Sequence, residues 1–379
     1  MAVVDYSYKI VILVVLAMFG YFLLATPVMM DDGFHYEGFA ESLARGKLDF
    51  KSFYGLQGLS FFAVPIFWLT SSINSWQASS HNSIIIVSAF FVLLSIPLAY
   101  FIGRDYFNSK QAGLYFLTLF LLTPYPYTTM MRGFQEAALL FFLLLVVYGS
   151  INKKLFTPLA WAIGGMVKPF ALVLFPLFAT ELKKKKNFIF LLAGLCLGLL
   201  YLGASYYQTG HLVNNAAINS YEGNFNAGSP PPLIESFAIG IKGYLRVGAN
   251  LFLHPRKIMI SPLVVILGAF SLLLNRSLRL RKEMIAAIVL NFILVGSLTF
   301  SFSKYLLPMT TLLALASVGY LLRYRWLMVL VLVDSLFVFL PIWNYFGQAF
   351  WGNIWIYLLP FYLTVAVLLW DRKYFTHNS

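Results

Sequence analysis

Long apolar runs alternate with short polar turns along this chain. Runs of about 17–22 residues, the length that crosses a bilayer as a helix, fall near residues 8–28, 83–102, 111–130, 134–151, 188–207, 258–275, 284–302, 305–322, 326–342 and 354–370. A further apolar stretch, 155–181, is interrupted by "GGMVKP" and has basic ends, Lys153-Lys154 and Lys183 to Lys186. If both ends face one side of a membrane, that stretch cannot cross once. It predicts two half-length helices meeting inside the membrane at Lys168-Pro169.

The segment after the first run has a different period. Tyr36, Phe39, Ala40, Leu43 and Ala44 recur at steps of three and four, the mark of one helix face. Glu37, Glu41 and Arg45 line another face at i, i+4 steps. This predicts a helix lying in the interface plane. "YGLQGLSFFAVPIFWLT" predicts a second interfacial or half-inserted helix. The expected fold class is an all-α polytopic membrane protein with about ten full spans, a half-spanning hairpin and interfacial helices in the first outer loop. It is read as a single transmembrane domain over 1–379, with the first outer loop at 29–82 and a second long outer loop at 208–257.

Composition removes the soluble alternative. The chain is 60% hydrophobic and 11% charged, where soluble domains carry about 25% charged residues. The net charge of +13 would suggest nucleic acid in a soluble protein. Here it is explained by the gathering of basic residues in cytoplasmic loops, and nucleic acid is not expected as a partner. With the N-terminus inside, Lys9, Arg104, Lys110, Lys153-Lys154, Lys183 to Lys186, Arg276 to Lys282, Arg323, Arg325 and Arg372-Lys373 all fall inside. They are 17 of the 27 basic residues. The opposite orientation would put four consecutive lysines outside. The single Cys196 excludes a disulfide framework and reads as a packing residue. The first run lacks a small-residue cleavage site and reads as a span.

This orientation puts the candidate chemistry outside. Asp31 and Asp32 open the first outer loop. One reading is structural: Asp32 caps the following helix and Asp31 sits favourably at its positive end. The other is a general base at the membrane surface. His35, one turn on, completes with Asp31, Asp32 and Glu136 a candidate set for a divalent metal. Arg132 and Glu136 read either as a surface ion pair or as a phosphate-binding cation and a second acid. Lys168 is costly in lipid and should face the protein interior or a wet cavity. Lys304 and Tyr305 read as an interfacial lysine and an aromatic-belt tyrosine. Asp334, inside "WLMVLVLVDSLFVFLP", is a functional candidate by its position, with no partner legible. The 208–257 loop, with Tyr221 and Glu222 and a basic end of Arg246, His254, Arg256 and Lys257, is a candidate cover over the site. No Walker loop, dinucleotide fingerprint, HExxH pair or GxSxG elbow is present. No internal repeat is evident, which weighs against an inverted-repeat transporter.

Taken in order, "DDGFHYEGFAESLARGKL", "IGRDYFNSKQAGLYFLTLFLLTPYPYTTMMRGFQEAALLFFLLLVVY", "LAWAIGGMVKPFALVLFPLF" and "FSKYLLPM" resemble the polyprenyl-phosphate-sugar-dependent glycosyltransferases of the GT-C fold. That superfamily includes the protein O-mannosyltransferases and the lipid A aminoarabinose transferases. The resemblance is best over 8–180 and generic over 188–300, and Lys304 stands where the family has Arg. It implies a GT-C-like fold and an inverting transfer from a polyprenyl-phosphate sugar to a glycan, lipid or protein acceptor. Asp31 and Asp32 would be the catalytic acids. Lys168, Lys304, Arg132 and Tyr305 would meet the donor phosphate, and Tyr36, Glu136, Tyr221 and Glu222 the sugar or acceptor. Nucleotide sugars and ATP are cytoplasmic, so an outer site needs a donor already carried across. The expected location is a bacterial inner membrane, with the site facing the periplasm or exterior. The alternatives are a GT-C-type glycan ligase or polymerase using a lipid-linked oligosaccharide, and a non-enzymatic flippase of a lipid-linked sugar.

Overall fold

A computed structural model describes residues 32–53, 56–73, 76–123, 133–210, 245, 260–296 and 303–343. The described residues are helical and contain no strand. They fall into two compact units. Residues 32–98 and 133–210 belong to the first; 99–123, 260–296 and 303–343 belong to the second. The predicted runs 8–28 and 354–370 lie outside the described residues.

In the first unit, α1 (Asp32–Ala44) falls where the spacing predicts a helix. Tyr36, Phe39 and Ala40 are buried, and Glu41 pairs with Arg45 at 2.5 Å. Asp32 is the first described residue of α1, and Asp31 before it lies outside the described residues. The helix ends at Gly46, whose φ of +74° is left-handed; the Gly46 N–H bonds Leu43 O and the Lys47 N–H bonds Ser42 O, each at 2.9 Å. This is the stop that a glycine permits. Helix α2 (Gly58–Ser71) follows.

α3 (Trp76–Phe107) is a helix of 32 residues, longer than the predicted 83–102, and the boundary between the units falls within it, after Leu98. α5 (Glu136–Ile151) is buried on nearly every side. α6 (Thr157–Val167) ends at Lys168, which is extended (φ −150°, ψ 138°). Proline disfavours helical geometry in the residue before it, and Pro169 enforces the predicted break. The second half of the hairpin differs from the expectation. It is not an α-helix but two 3-10 segments, Pro169–Leu177 and Ala179–Lys183. Pro176 helps explain this, because it supplies no N–H to a helical ladder. α7 (Lys185–Thr209) then runs alongside α6, with Gly194 set against Ala162 so closely that a Cβ there would lie 2.5 Å from the alanine methyl.

α4 (Lys110–Leu121) belongs to the second unit, with α8 (Pro262–Leu274), α9 (Arg281–Gly296), a 3-10 turn Ser303–Leu306, α10 (Leu307–Arg323) and α11 (Leu327–Trp343). α10 is the buried centre of this unit and packs on α8.

Two described helices are long and apolar enough to cross a membrane: His81–Phe107 with 27 residues, and Lys185–Thr209 with 25. At 1.5 Å per residue they extend about 40 and 37 Å, more than an apolar core of about 30 Å. The other apolar helices are shorter. α7 carries Phe188, Ile189, Leu192, Leu195, Leu199 and Leu200 on its exposed surface. Cys196 is also exposed there and does not pack inside, contrary to the sequence reading. An unbroken apolar run has no period to show which face turns inward; only Asn187, Leu191, Gly194, Tyr201 and Ser205 of α7 do.

Candidate functional site

The first unit gathers three of the residues singled out in the sequence. Lys168, at the tip of the broken hairpin, donates from its ammonium to the Glu136 carboxylate at the start of α5. Both are buried; Glu136 is 0% exposed, which removes the surface ion-pair reading of this acid. With the Gln135 amide assigned so that its nitrogen faces the two carbonyls beside it, that nitrogen donates to Leu56 O at 2.8 Å and Val167 O at 3.2 Å, and its oxygen accepts from the Tyr36 hydroxyl at 3.0 Å. Ser60 Oγ on α2 donates to Tyr36 O at 2.8 Å. Helix α1 is therefore tied to the hairpin tip and to the start of α5 through Tyr36.

The tip and the first loop approach closely because of a glycine. A Cβ on Gly58 would fall 2.6 Å from Val167 Cα and 2.9 Å from Met166 O. No side chain fits between the start of α2 and the end of α6.

A second set of contacts holds the same loop from α7. Tyr201 Oη accepts from Gln57 N–H at 2.7 Å. Gln208 Oε1 accepts from Phe50 N–H at 2.8 Å, and its Nε2 donates to Leu48 O at 2.5 Å. Phe50 meets Tyr201 edge-on at 5.2 Å and Phe39 at 5.3 Å between centroids. Between these anchors Asp49 accepts from Ser52 Oγ at 2.6 Å, Lys51 N–H at 3.0 Å and Ser52 N–H at 3.1 Å. The Ser52 hydroxyl, chiefly, holds its carboxyl below the ordinary range. Glu37 of α1 lies 3.6 Å from His81 of α3.

Gln57, Gln135, Tyr201 and Gln208 were not singled out from sequence. The available signal was a polar group, an amide or a phenolic hydroxyl, beside or within an apolar stretch, where it must find partners.

The second unit places three further candidates. Asp334 is buried and its carboxylate accepts from Ser261 Oγ and, at 3.2 Å, from Leu263 N–H. Ser261 caps α8 by accepting from Val264 N–H at 3.4 Å. The described contacts of this acid are thus with a helix N-terminus, where unpaired N–H groups and the positive dipole end favour a carboxylate. Lys304 and Tyr305 lie in the Ser303–Leu306 turn. Buried Asn291 fixes that turn by donating to Tyr305 O at 3.1 Å and accepting from Met309 N–H at 3.3 Å.

Asp31, Arg132, Tyr221, Glu222, Arg246, His254, Arg256 and Lys257 lie outside the described residues. For metal binding, no group of three His, Cys, Asp or Glu side chains occurs among the described residues. Lys168 is the described partner of Glu136, and Asp31 of the expected set lies outside the described residues.

No family model, no curated protein and no solved structure matches this chain.

Proposed function

We propose that this chain is a polytopic membrane glycosyltransferase. It moves a sugar from a polyprenyl-phosphate donor to an acceptor hydroxyl on the outer face. The observation that supports this reading most is the tie from α1 through Tyr36 to Gln135, next to the Glu136–Lys168 pair. It holds an acid-bearing surface helix against a charged hairpin tip.

In this reading Asp31, with Asp32 as the other candidate, accepts the proton of the acceptor hydroxyl as general base. The acceptor oxygen bonds to the anomeric carbon, and the bond from that carbon to the phosphate oxygen breaks. Polyprenyl phosphate leaves with the electron pair. A phosphate needs no general acid, but the developing anion needs cations. Arg132 is assigned that role first. Lys168 is already charge-compensated by Glu136 and serves chiefly to fix the tip.

The test has two parts. Mass spectrometry of lipid copurified with the full chain is expected to find a polyprenyl monophosphate or its monoglycosyl ester. A polyprenyl-pyrophosphate oligosaccharide would replace this reading with the ligase. The donor so identified is then supplied to the protein in nanodiscs. Asp31→Asn or Asp32→Asn is expected to abolish transfer while donor still binds. Near-normal transfer by both variants would sink the proposed base.

A further inference from the structure

Six lysines meet at the other end of the first unit. Lys153 and Lys154 lie in the turn between α5 and α6. Lys183 to Lys186 end the hairpin and begin α7. All six are exposed.

The fold brings the two groups together on one acid. Glu181 Oε2 accepts from Lys184 Nζ at 2.5 Å, and Glu181 Oε1 lies 3.8 Å from Lys153 Nζ. Asn187 Nδ2 donates to Glu181 O at 3.0 Å and steadies the turn. Lys153 itself adopts a left-handed φ of +50°, which sharpens the turn that presents it. Glu181 is the sole acid between residues 137 and 210, so the patch keeps a strong positive excess.

Apolar surface begins directly beside these charges. Phe188 is 47% exposed and Ile189 53%, within one turn of Lys185, and Leu192 and Leu195 continue along α7. Leu155, next to Lys154, is 42% exposed. A soluble polyanion would satisfy the lysines and leave these side chains in water. A phospholipid offers a phosphate for the ammonium groups and acyl chains for the adjoining face.

We infer that this end of the first unit is a docking surface for anionic phospholipid headgroups. The inference rests on the membrane reading proposed above. It places the bound leaflet opposite the Glu136–Lys168 end, since α5 separates the two by about 24 Å at 1.5 Å per residue. Clustered lysines at a helix–membrane boundary gain from an anionic surface, and the gain is screened by salt.

Native mass spectrometry of the full chain in neutral detergent tests this. Phosphatidylglycerol and phosphatidylcholine of identical acyl chains are the probes. Phosphatidylglycerol is expected to be retained about tenfold over phosphatidylcholine. The combined variant Lys153→Gln, Lys154→Gln, Lys184→Gln, Lys185→Gln should lose most of that preference, and arginine at the same four positions should keep it. Equal retention of the two lipids, or a preference untouched in the glutamine variant, would overturn the inference. Displacement of phosphatidylglycerol by equimolar polyphosphate would also overturn it, in favour of a soluble polyanion. The readout does not involve sugar transfer. A chain that retains phosphatidylglycerol but transfers no sugar overturns the glycosyltransferase reading alone.

Discussion

Lys168 and Glu136, 32 positions apart, form an ion pair in the interior of the first unit, joining the tip of a broken hairpin to the first turn of its central helix. Such a pair contributes less through Coulomb attraction than through the cost of leaving either charge alone. Glu136→Gln or Lys168→Met should therefore destabilise the protein by about 3–5 kcal/mol. The double variant Glu136→Leu/Lys168→Met should recover much of that loss. Thermal unfolding in detergent compares the three, and a double variant as unstable as the sum of the singles would show that the charges do not act as a pair.

Gly58→Ala would place a methyl group against the backbone of α6. Backbone cannot step aside as a flexible side chain can. The expected cost is about 1–3 kcal/mol, as for overpacking, and the first loop should become more sensitive to protease between α1 and α2. An unchanged digestion pattern would show that the approach is not tight.

The anchors from α7 make distinct predictions. Tyr201→Phe removes the acceptor for Gln57 N–H and keeps the ring against Phe50. A buried donor left unpaired costs about 1–3 kcal/mol. Gln208→Ala frees Leu48 O and Phe50 N–H at a more exposed site, so its effect on stability should be smaller. Hydrogen exchange should read the Gln208 change at the Phe50 amide and the Tyr201 change at the Gln57 amide. Protection unchanged at both amides would contradict these bonds.

Asp334→Ala should destabilise the second unit by about 1–3 kcal/mol, because the capping serine and Leu263 N–H lose a buried partner. Asp334→Asn keeps an acceptor and should cost less. If sugar transfer falls in both variants while unfolding is unchanged, the acid has a role beyond holding α8.

Asp49 carries a pH dependence of definite sign. Its folded carboxyl lies below the ordinary value of 3.8, chiefly through the Ser52 hydroxyl. Its stabilising effect is complete above that ordinary value and is lost as pH falls through the lower folded one. Amide protection at Lys51 and Ser52 should decline in that acid window, and Asp49→Asn should show no such decline.

Several features were legible in the sequence because their causes are local. The break at Lys168 follows from the proline after it, and the inward face of α1 from the spacing of Tyr36, Phe39 and Ala40. The cost of a charge in an apolar run required Lys168 to turn inward, and it is buried. The sequence could not name partners: Asp334 finds Ser261 from 73 positions away, and Gln208 finds Phe50 from 158.

By itself, then, the sequence determined helical segments, their breaks and the need for buried charges to be paired, since these follow from backbone sterics and desolvation between neighbours in the chain. The tertiary structure decided which groups pair. It gave Glu136 to Lys168, set Asp334 at the start of α8 and turned Cys196 outward on α7. Those outcomes depend on packing between distant helices, and a uniformly apolar run carries no period that reveals it.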